Sequence, residues 1–269
     1  VTVLLNNGLG LFPTQEDYST GIVPRYVSGG DFDGDGDFDL CTPDYIGMTT
    51  SVLMNDGTGA FALHEQYPMR TPSYLWVDDL DQDGFLDILT LHWDENADQP
   101  SQSPALFTPL FNDGSGNFSY GNSSWIGSQP RGGASADLNG DGILDVVTAN
   151  YSSQSMSVLI GLGKRQWTDE IPIELSGNPR FVVLEDLDSD GAIDIAVIDK
   201  AEFHLWIYKN DGNASFTLID SQDTSDIPHS ISKGDIDQDG DIDLVVTHVG
   251  SSYQRIYFNN GKGIFSTNQ

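Results

Sequence analysis

The stretch GGDFDGDGDFDL, residues 29–40, sets Asp31, Asp33, Asp35, Asp37 and Asp39 on alternate positions. Like charges packed this closely repel one another unless a cation sits among them. The spacing recurs in DLDQDGFLD (79–87), DLNGDGILD (137–145), DLDSDGAID (186–194) and DIDQDGDID (235–243). The shared pattern is D-x-[DN]-x-D-G-x-x-D. Oxygens from side chains 1, 3, 5 and 9 and from carbonyl 7 can surround a hard cation, and glycine at position 6 permits the sharp turn between them. The side-chain sets are Asp31, Asp33, Asp35, Asp39; Asp79, Asp81, Asp83, Asp87; Asp137, Asn139, Asp141, Asp145; Asp186, Asp188, Asp190, Asp194; and Asp235, Asp237, Asp239, Asp243. The carbonyls belong to Asp37, Phe85, Ile143, Ala192 and Asp241, and residue types that vary this widely suit a backbone ligand.

Many oxygens on a flexible loop favour Ca²⁺ over Mg²⁺, which demands near-octahedral geometry and keeps its waters. No His or Cys is spaced for zinc. An EF-hand would place Glu at position 12 between helices, but position 12 is Thr42, Thr90, Thr148, Val197 and Val246. The expected cofactor is therefore about five Ca²⁺ ions, which would lift the formal charge from −30 toward about −20. Metal-free loops repel themselves, so binding is expected to be coupled to folding.

The same charge narrows the partners. Against 41 acids stand 11 bases, which argues against nucleic acid and against an anionic membrane surface. No apolar run is long enough for a membrane-inserted helix. The single cysteine, Cys41, follows Leu40 in an apolar stretch and reads as a small buried residue. A chain that opens on Val1 within a strand-like stretch reads as a mature or excised fragment.

The elements that must hold these loops repeat with them. Loop starts are separated by 48, 58, 49 and 49 residues. A second mark, of the form LMNDGTGAF, ends on Phe12, Phe61, Phe118, Trp167, Phe216 and Phe265, with steps of 49, 57, 49, 49 and 49. A third is Pro before a polar residue: Pro24-Arg25, Pro72-Ser73, Pro130-Arg131, Pro179-Arg180 and Pro228-His229. Each unit reads as four strands. The first runs from the Pro into the acidic loop. The second leaves it as a short apolar run such as DIAVI. The third ends in an Asn-Asp-Gly or Asn-Asn-Gly turn, which supplies the positive φ of a hairpin, and the fourth starts at the aromatic. No 3.6-residue periodicity competes.

Four antiparallel strands in every 40–50 residues predict an all-β fold, a β-propeller of four-stranded blades. The chain is read as one propeller domain, 1–269. It holds a half blade at 1–20 and five complete blades at about 21–68, 69–126, 127–175, 176–224 and 225–269. The half blade predicts a ring of six or seven, completed by further chain segments or subunits.

The units resemble FG-GAP repeats, also called VCBS repeats, of the kind in the integrin α-subunit propeller. GDFDGDGDFDL and the NNGxGxF form are similar to bacterial and fungal versions. The resemblance spans essentially the whole chain. It implies Ca²⁺ in the acidic loops and extracellular display in adhesion or carbohydrate binding. It also implies a carbohydrate or protein ligand on the face opposite the metals.

Two repeat positions are expected to crowd that face. One follows the Pro: Arg25, Ser73, Arg131, Arg180 and His229. The other lies 13 residues after each loop start: Asp44, His92, Asn150, Asp199 and His248. The arginines either pair with Asp44 and Asp199 to tie blades together, or face an anionic or sugar ligand. The lengthened connection HWDENADQPSQSPALF (92–107) adds Trp93, which could stack on a sugar ring, as could Trp125. The candidate ligand residues are thus Arg25, Arg131, Arg180, His229, His92, Trp93 and His248. The five histidines show no catalytic spacing, and neither G-x-S-x-G nor a P-loop occurs. The expectation is an adhesion or recognition module and not an enzyme. The alternatives are a propeller of a polysaccharide-degrading enzyme, as accessory or lyase-type catalytic domain, and a structural module of a surface protein or filament.

Overall fold

The computed structural model describes residues 1–93 and 105–267. Residues 94–104, most of the lengthened connection read at 92–107, lie outside them. The described residues contain strands and turns and no α-helix. They fall into two compact units, one formed by the residues up to 93 with Leu106–Ser123, the other running from Ser124.

The first unit opens on a two-stranded ladder, Thr2–Leu5 with Thr14–Asp17, the third and fourth strands of a blade. Two antiparallel sheets follow, each built on a run of four strands. The first is Ser28–Gly30, Asp39–Asp44, Thr49–Asn55 and Phe61–Pro68; the second is Pro72–Asp78, Asp87–His92, Ala105–Asn112 and Phe118–Tyr120. The second unit holds three more: Pro130–Ala136, Asp145–Asn150, Ser155–Leu159 and Ile171–Glu174; Pro179–Glu185, Asp194–Asp199, His204–Asn210 and Phe216–Asp223; and Pro228–Gly234, Asp243–His248, Gln254–Asn259 and Phe265–Ser266. These are the blades of a β-propeller.

One element departs from the repeat. In the 130–174 sheet the fourth strand does not begin at Trp167. Gly161–Gly163 and Gln166–Trp167 pair with each other, and the ladder to Ser155–Leu159 is made by Ile171–Glu174 instead. The turn there reads GLGKRQ, without the Asn-Asp-Gly that closes the other hairpins tightly.

Burial explains the strand sequences. The second strand is buried on both faces, wholly so in Asp87–His92, Asp145–Asn150 and Asp194–Asp199, so it reads as an unbroken apolar run. Neighbouring sheets pack within each unit. Cys41, Val52, Leu75, Ile88 and Leu110 form one cluster. Val147, Val158, Val182, Val197 and Trp206 form a second, and Ile198, Ile207, Leu244, Val246 and Tyr257 a third. Burial also pushes the Cys41 thiol far above its ordinary pKa, so it is an inert core residue.

Candidate metal centres and the opposite sheet ends

Each acidic loop joins the first two strands of its sheet, at the same end as the hairpin joining the third and fourth. Three aspartates organise it. The carboxylate at position 1 folds the backbone around itself. Asp31 accepts the amides of Gly34 and Gly36 at 2.8 and 3.0 Å, and Asp186 those of Asp190 and Gly191 at 3.1 and 2.9 Å. Asp79, Asp137 and Asp235 do the same. The carboxylate at position 5 accepts the amide of position 7 in every loop: Asp35 from Asp37, Asp83 from Phe85, Asp141 from Ile143, Asp190 from Ala192, Asp239 from Asp241.

Position 9 joins the loop to the sheet. Asp39, Asp87, Asp145, Asp194 and Asp243 are at most 1% exposed. One oxygen of each accepts the amide of loop position 2, from Phe32, Leu80, Leu138, Leu187 or Ile236. The other accepts an amide at the end of the third strand, from Asn55, Asn112, Gly161, Asn210 or Asn259. Burial raises the pKa of Asp39, Asp87, Asp145 and Asp194, and neighbouring loop carboxylates add to the effect, while the backbone amides oppose it. Asp87 is pushed up to about 7 and Asp194 to about 6.

The loops share one backbone course. Position 6 is left-handed in all five, from Gly142 at φ 84° to Gly240 at φ 97°. Position 4 is left-handed too, at Gly34 and Gly140 but also at Gln82, Ser189 and Gln238, with φ of 60°, 60° and 63°. A non-glycine residue held there is strained, and such strain collects where function fixes the backbone. The side chain at position 7 turns away from the loop and lies against the hairpin glycine. A Cβ on Gly57 would come within 2.5 Å of Asp37, and one on Gly114 within 2.5 Å of the Phe85 ring.

The residues fit a hard cation. Oxygens of Asp31, Asp33 and Asp39 lie within 4.8 Å of one another, as do those of Asp79, Asp81 and Asp87, of Asp186, Asp188 and Asp194, and of Asp235, Asp237 and Asp239. Asp188 also keeps one buried carboxylate oxygen without a hydrogen-bond partner, which suits a metal ligand. Two loops differ in detail. In the third, Asn139 replaces an aspartate and its amide donates to Asp141 at 3.0 Å. In the fourth, the Lys209 ammonium reaches the loop, bonding Asp188 and, at 2.7 Å, Asp190.

At the other end of each sheet the residue after the Pro is a β-bulge. The ladder passes from Pro72 to Tyr74, Pro130 to Gly132, Pro179 to Phe181 and Pro228 to Ser230, so the register skips Ser73, Arg131, Arg180 and His229. Bulges re-aim side chains. Arg25 follows an isolated bridge between Pro24 and Asp44. The expected pairing of these arginines with Asp44 and Asp199 does not form. Asp44 is fully buried and accepts the hydroxyls of Thr42, Thr49 and Ser51 at 2.9, 3.0 and 2.5 Å, while Asp199 accepts the amide of Glu202 at 2.6 Å. Two of the arginines lie over aromatic rings. Arg25 lies 3.4 Å from the Tyr45 ring centre and 4.4 Å from that of Trp93. Arg131 lies 5.0 Å from the Tyr151 ring, with Lys200 at 5.7 Å.

The other candidates divide. Trp93 joins Arg25, edge-on to Tyr45. His92 is 5% exposed, with Nδ1 bonded to the Arg70 carbonyl at 2.6 Å; burial holds its pKa down to about 4. It therefore belongs to the interior rather than to the surface. His248 lies against Tyr253. Trp125 is exposed.

Residues 79–148, 137–197 and 186–246 each match the FG-GAP-like repeat, together more than half of the chain. The chain belongs to the FG-GAP-like repeat family. No curated protein matches it. Among solved structures, an Agrocybe aegerita lectin that recognises non-reducing terminal N-acetylglucosamine is similar, with 17% identity and a TM-score of 0.60 over 93% of this chain and 67% of the lectin. A Lactobacillus plantarum protein matches at 14% and 0.64, over 95% and 73%. The periplasmic gluconolactonase of Pseudomonas aeruginosa matches at 14% and 0.62, over 90% and 69%. At these identities the likeness is one of fold.

Within this FG-GAP chain, reading single positions missed Tyr45, Tyr151 and Lys200. The signal was present: with Trp93 and Val249 they occupy the residue 14 positions after each loop start. Three of those five are aromatic, in register with the arginines across the bulge.

Proposed function

We propose that this chain is an extracellular, calcium-braced propeller that acts as an adhesion or recognition module, binding carbohydrate or protein at the sheet ends opposite the acidic loops. The observation that carries the reading is the placing of arginines over aromatic rings at these sheet ends, Arg25 by Tyr45 and Trp93 and Arg131 by Tyr151. Arginine and aromatic side chains together are the surface chemistry of binding sites. The acidic loops supply rigidity. In each, the site residues assigned above would hold one Ca²⁺, about five in all. Extracellular sites of this loop type bind at about 10⁻⁴–10⁻³ M, which matches calcium levels outside cells.

The test has two arms. Thermal melts with and without millimolar Ca²⁺ should differ by many degrees, and an unchanged midpoint would remove the calcium role. The calcium-loaded chain should bind members of a panel of glycans and matrix proteins, and Arg131→Ala should weaken that binding. Retained binding would move the site elsewhere. The reading is also of a binding module and not an enzyme, so turnover of lactones or polysaccharides by the calcium-loaded chain would overturn that part.

A further inference from the structure

The second unit gathers cations where the composition makes them scarce. The chain carries 41 acids and 11 bases, yet Arg131, Arg180, Lys200 and His229 lie at corresponding ends of adjacent sheets. Arg131, Arg180 and His229 are the bulged residues after Pro130, Pro179 and Pro228. Lys200 directly follows the strand that pairs with Pro179. Tyr151 lies between, with Arg131 and Lys200 both over its ring. Its carbonyl accepts the Asn178 amide at 2.7 Å, which fixes that turn.

Two of these charges lack a carboxylate partner. Among the described residues neither the Arg180 guanidinium nor the Lys200 ammonium forms an ion pair. The nearest acid in sequence, Asp199, is fully buried and bonded to the Glu202 amide. Burial and the charges of Arg180 and Lys200 hold His229 below its usual pKa, so the cluster is felt as positive from three elements. A structural bridge would use one of the many available acids. Half-buried cations left without a counter-charge, as Arg180 and Lys200 are among the described residues, suit an oxyanion that arrives from outside.

We propose that Arg180, Lys200 and His229, with Arg131 beside them, form an oxyanion-binding site for a saccharide bearing a single negative charge, a carboxylate or a sulfate ester. This names a ligand class for the recognition reading above and rests on it. The single charge follows from the wider field. A net charge of −30 repels a polyanion at every other point of the surface, whereas a lone oxyanion feels mainly the charges within a Debye length of about 8 Å.

The experiment is calorimetric titration of the calcium-loaded chain with glucuronic acid, glucose 6-sulfate, glucose and inorganic sulfate, for the wild type and for Arg180→Gln, Lys200→Gln and Lys164→Gln. Lys164, on the hairpin outside the cluster, controls for the change in net charge. Melting curves confirm that each variant folds. The site predicts binding of at least one acidic sugar, weakening with salt, and a loss of about tenfold or more in Arg180→Gln and Lys200→Gln but not in Lys164→Gln. Whichever of the two acidic probes binds identifies the oxyanion. Binding of glucose as tight as that of the acids, untouched by Arg180→Gln, overturns the oxyanion site and leaves the recognition reading standing. Binding of inorganic sulfate at Arg180 without any saccharide supports the oxyanion site and overturns carbohydrate recognition. No binding of any probe overturns both.

Discussion

The asparagine of each hairpin turn was read as a source of positive φ, but the structure gives it a second task that a single substitution can expose. Asn210 is fully buried. Its Nδ2 donates to the Leu138 carbonyl of the preceding sheet at 2.7 Å and to the Ile193 carbonyl of its own at 3.0 Å, while Oδ1 accepts the Gly212 amide at 3.1 Å. Leu138 is position 2 of the preceding acidic loop, so the side chain latches one blade to the metal loop of the last. Asn259 reaches Leu187, and Asn112 reaches Phe32, in the same way. Replacing Asn210 by Ala removes both donor bonds. The Leu138 carbonyl keeps a bond from the Ala214 amide, so the cost falls mainly on Ile193 and on the small void. That amounts to about 2–3 kcal/mol, since a buried polar group left unsatisfied costs about 1–3 kcal/mol. Asn210→Asp should cost more, because it turns an acceptor toward two carbonyl oxygens. Asn55 is the internal control. Its Nδ2 bonds only Phe38 of its own sheet, at 3.2 Å, and Asn55→Ala should cost below about 1 kcal/mol. Urea unfolding of the calcium-saturated chain reads all three. Equal midpoints for the Asn210 and Asn55 variants, or an Asp variant as stable as the Ala variant, would refute the latch.

The strained loop position gives a stabilising change: Gln238→Gly should raise the melting temperature by about 2–4 °C, because relief of left-handed strain outweighs the added freedom of the unfolded chain by about 1 kcal/mol. A lower melting temperature would show that Gln238 makes compensating contacts. Lys209→Met installs the residue type that Met54 supplies at the same register, and should tighten calcium binding at the fourth loop by removing a competing ammonium; weaker binding by calorimetry would mean that Lys209 helps to build the site. In metal-stripped protein, stability should fall as pH rises from about 4 to about 7. The folded-state pKa of Asp87 is raised above its unfolded value, to about 7, so the folded chain holds more protons across that window and loses the advantage as they leave. Thermal melts of the stripped chain would show the slope, Asp87→Asn should flatten it, and a midpoint that climbs with pH would contradict the buried carboxylates.

Why the acidic loops were legible and the ring-stacked arginines were not has a physical basis. An acidic loop is a local device. Its ligands and its glycine turn lie within nine residues, its strands flank them directly, and five copies in register reinforce one another. The position-9 aspartate was read as part of the ligand set, but its burial and its bond to the third strand depend on a residue some 16 positions away, as from Asp39 to Asn55. The stacking of Arg25 between Tyr45 and Trp93 is less local still, since Trp93 comes from the next blade. Sequence spacing shows that Arg25 and Asp44 share a sheet end, and charge alone would pair them. It does not show that Thr42, Thr49 and Ser51 claim the Asp44 carboxylate first. The same lack of range explains the fourth strand of the 130–174 sheet, where an aromatic marker held its period while the hairpin beneath it changed.

The position-9 aspartate also decides how metal and sheet act on each other. It bonds its own loop through one oxygen and the end of the third strand through the other, while remaining buried. Asp87 holds Leu80 within its loop and Asn112 at the end of the third strand, and Asn112 in turn holds Phe32 of the preceding blade. A cation drawn to Asp79, Asp81 and Asp87 therefore fixes the ionised state of a group whose amide partners are the ladder and, through the latch, the neighbouring loop. In the repeats that carry the asparagine latch, an ion in the loop would then brace a boundary between blades as well as a turn. Calcium loss is expected to loosen neighbouring blades together, in contrast to the independent fraying of five surface loops. The arginines of the opposite ends sit on bulges of those same sheets, so their spacing across blades depends on how firmly the acidic ends are held.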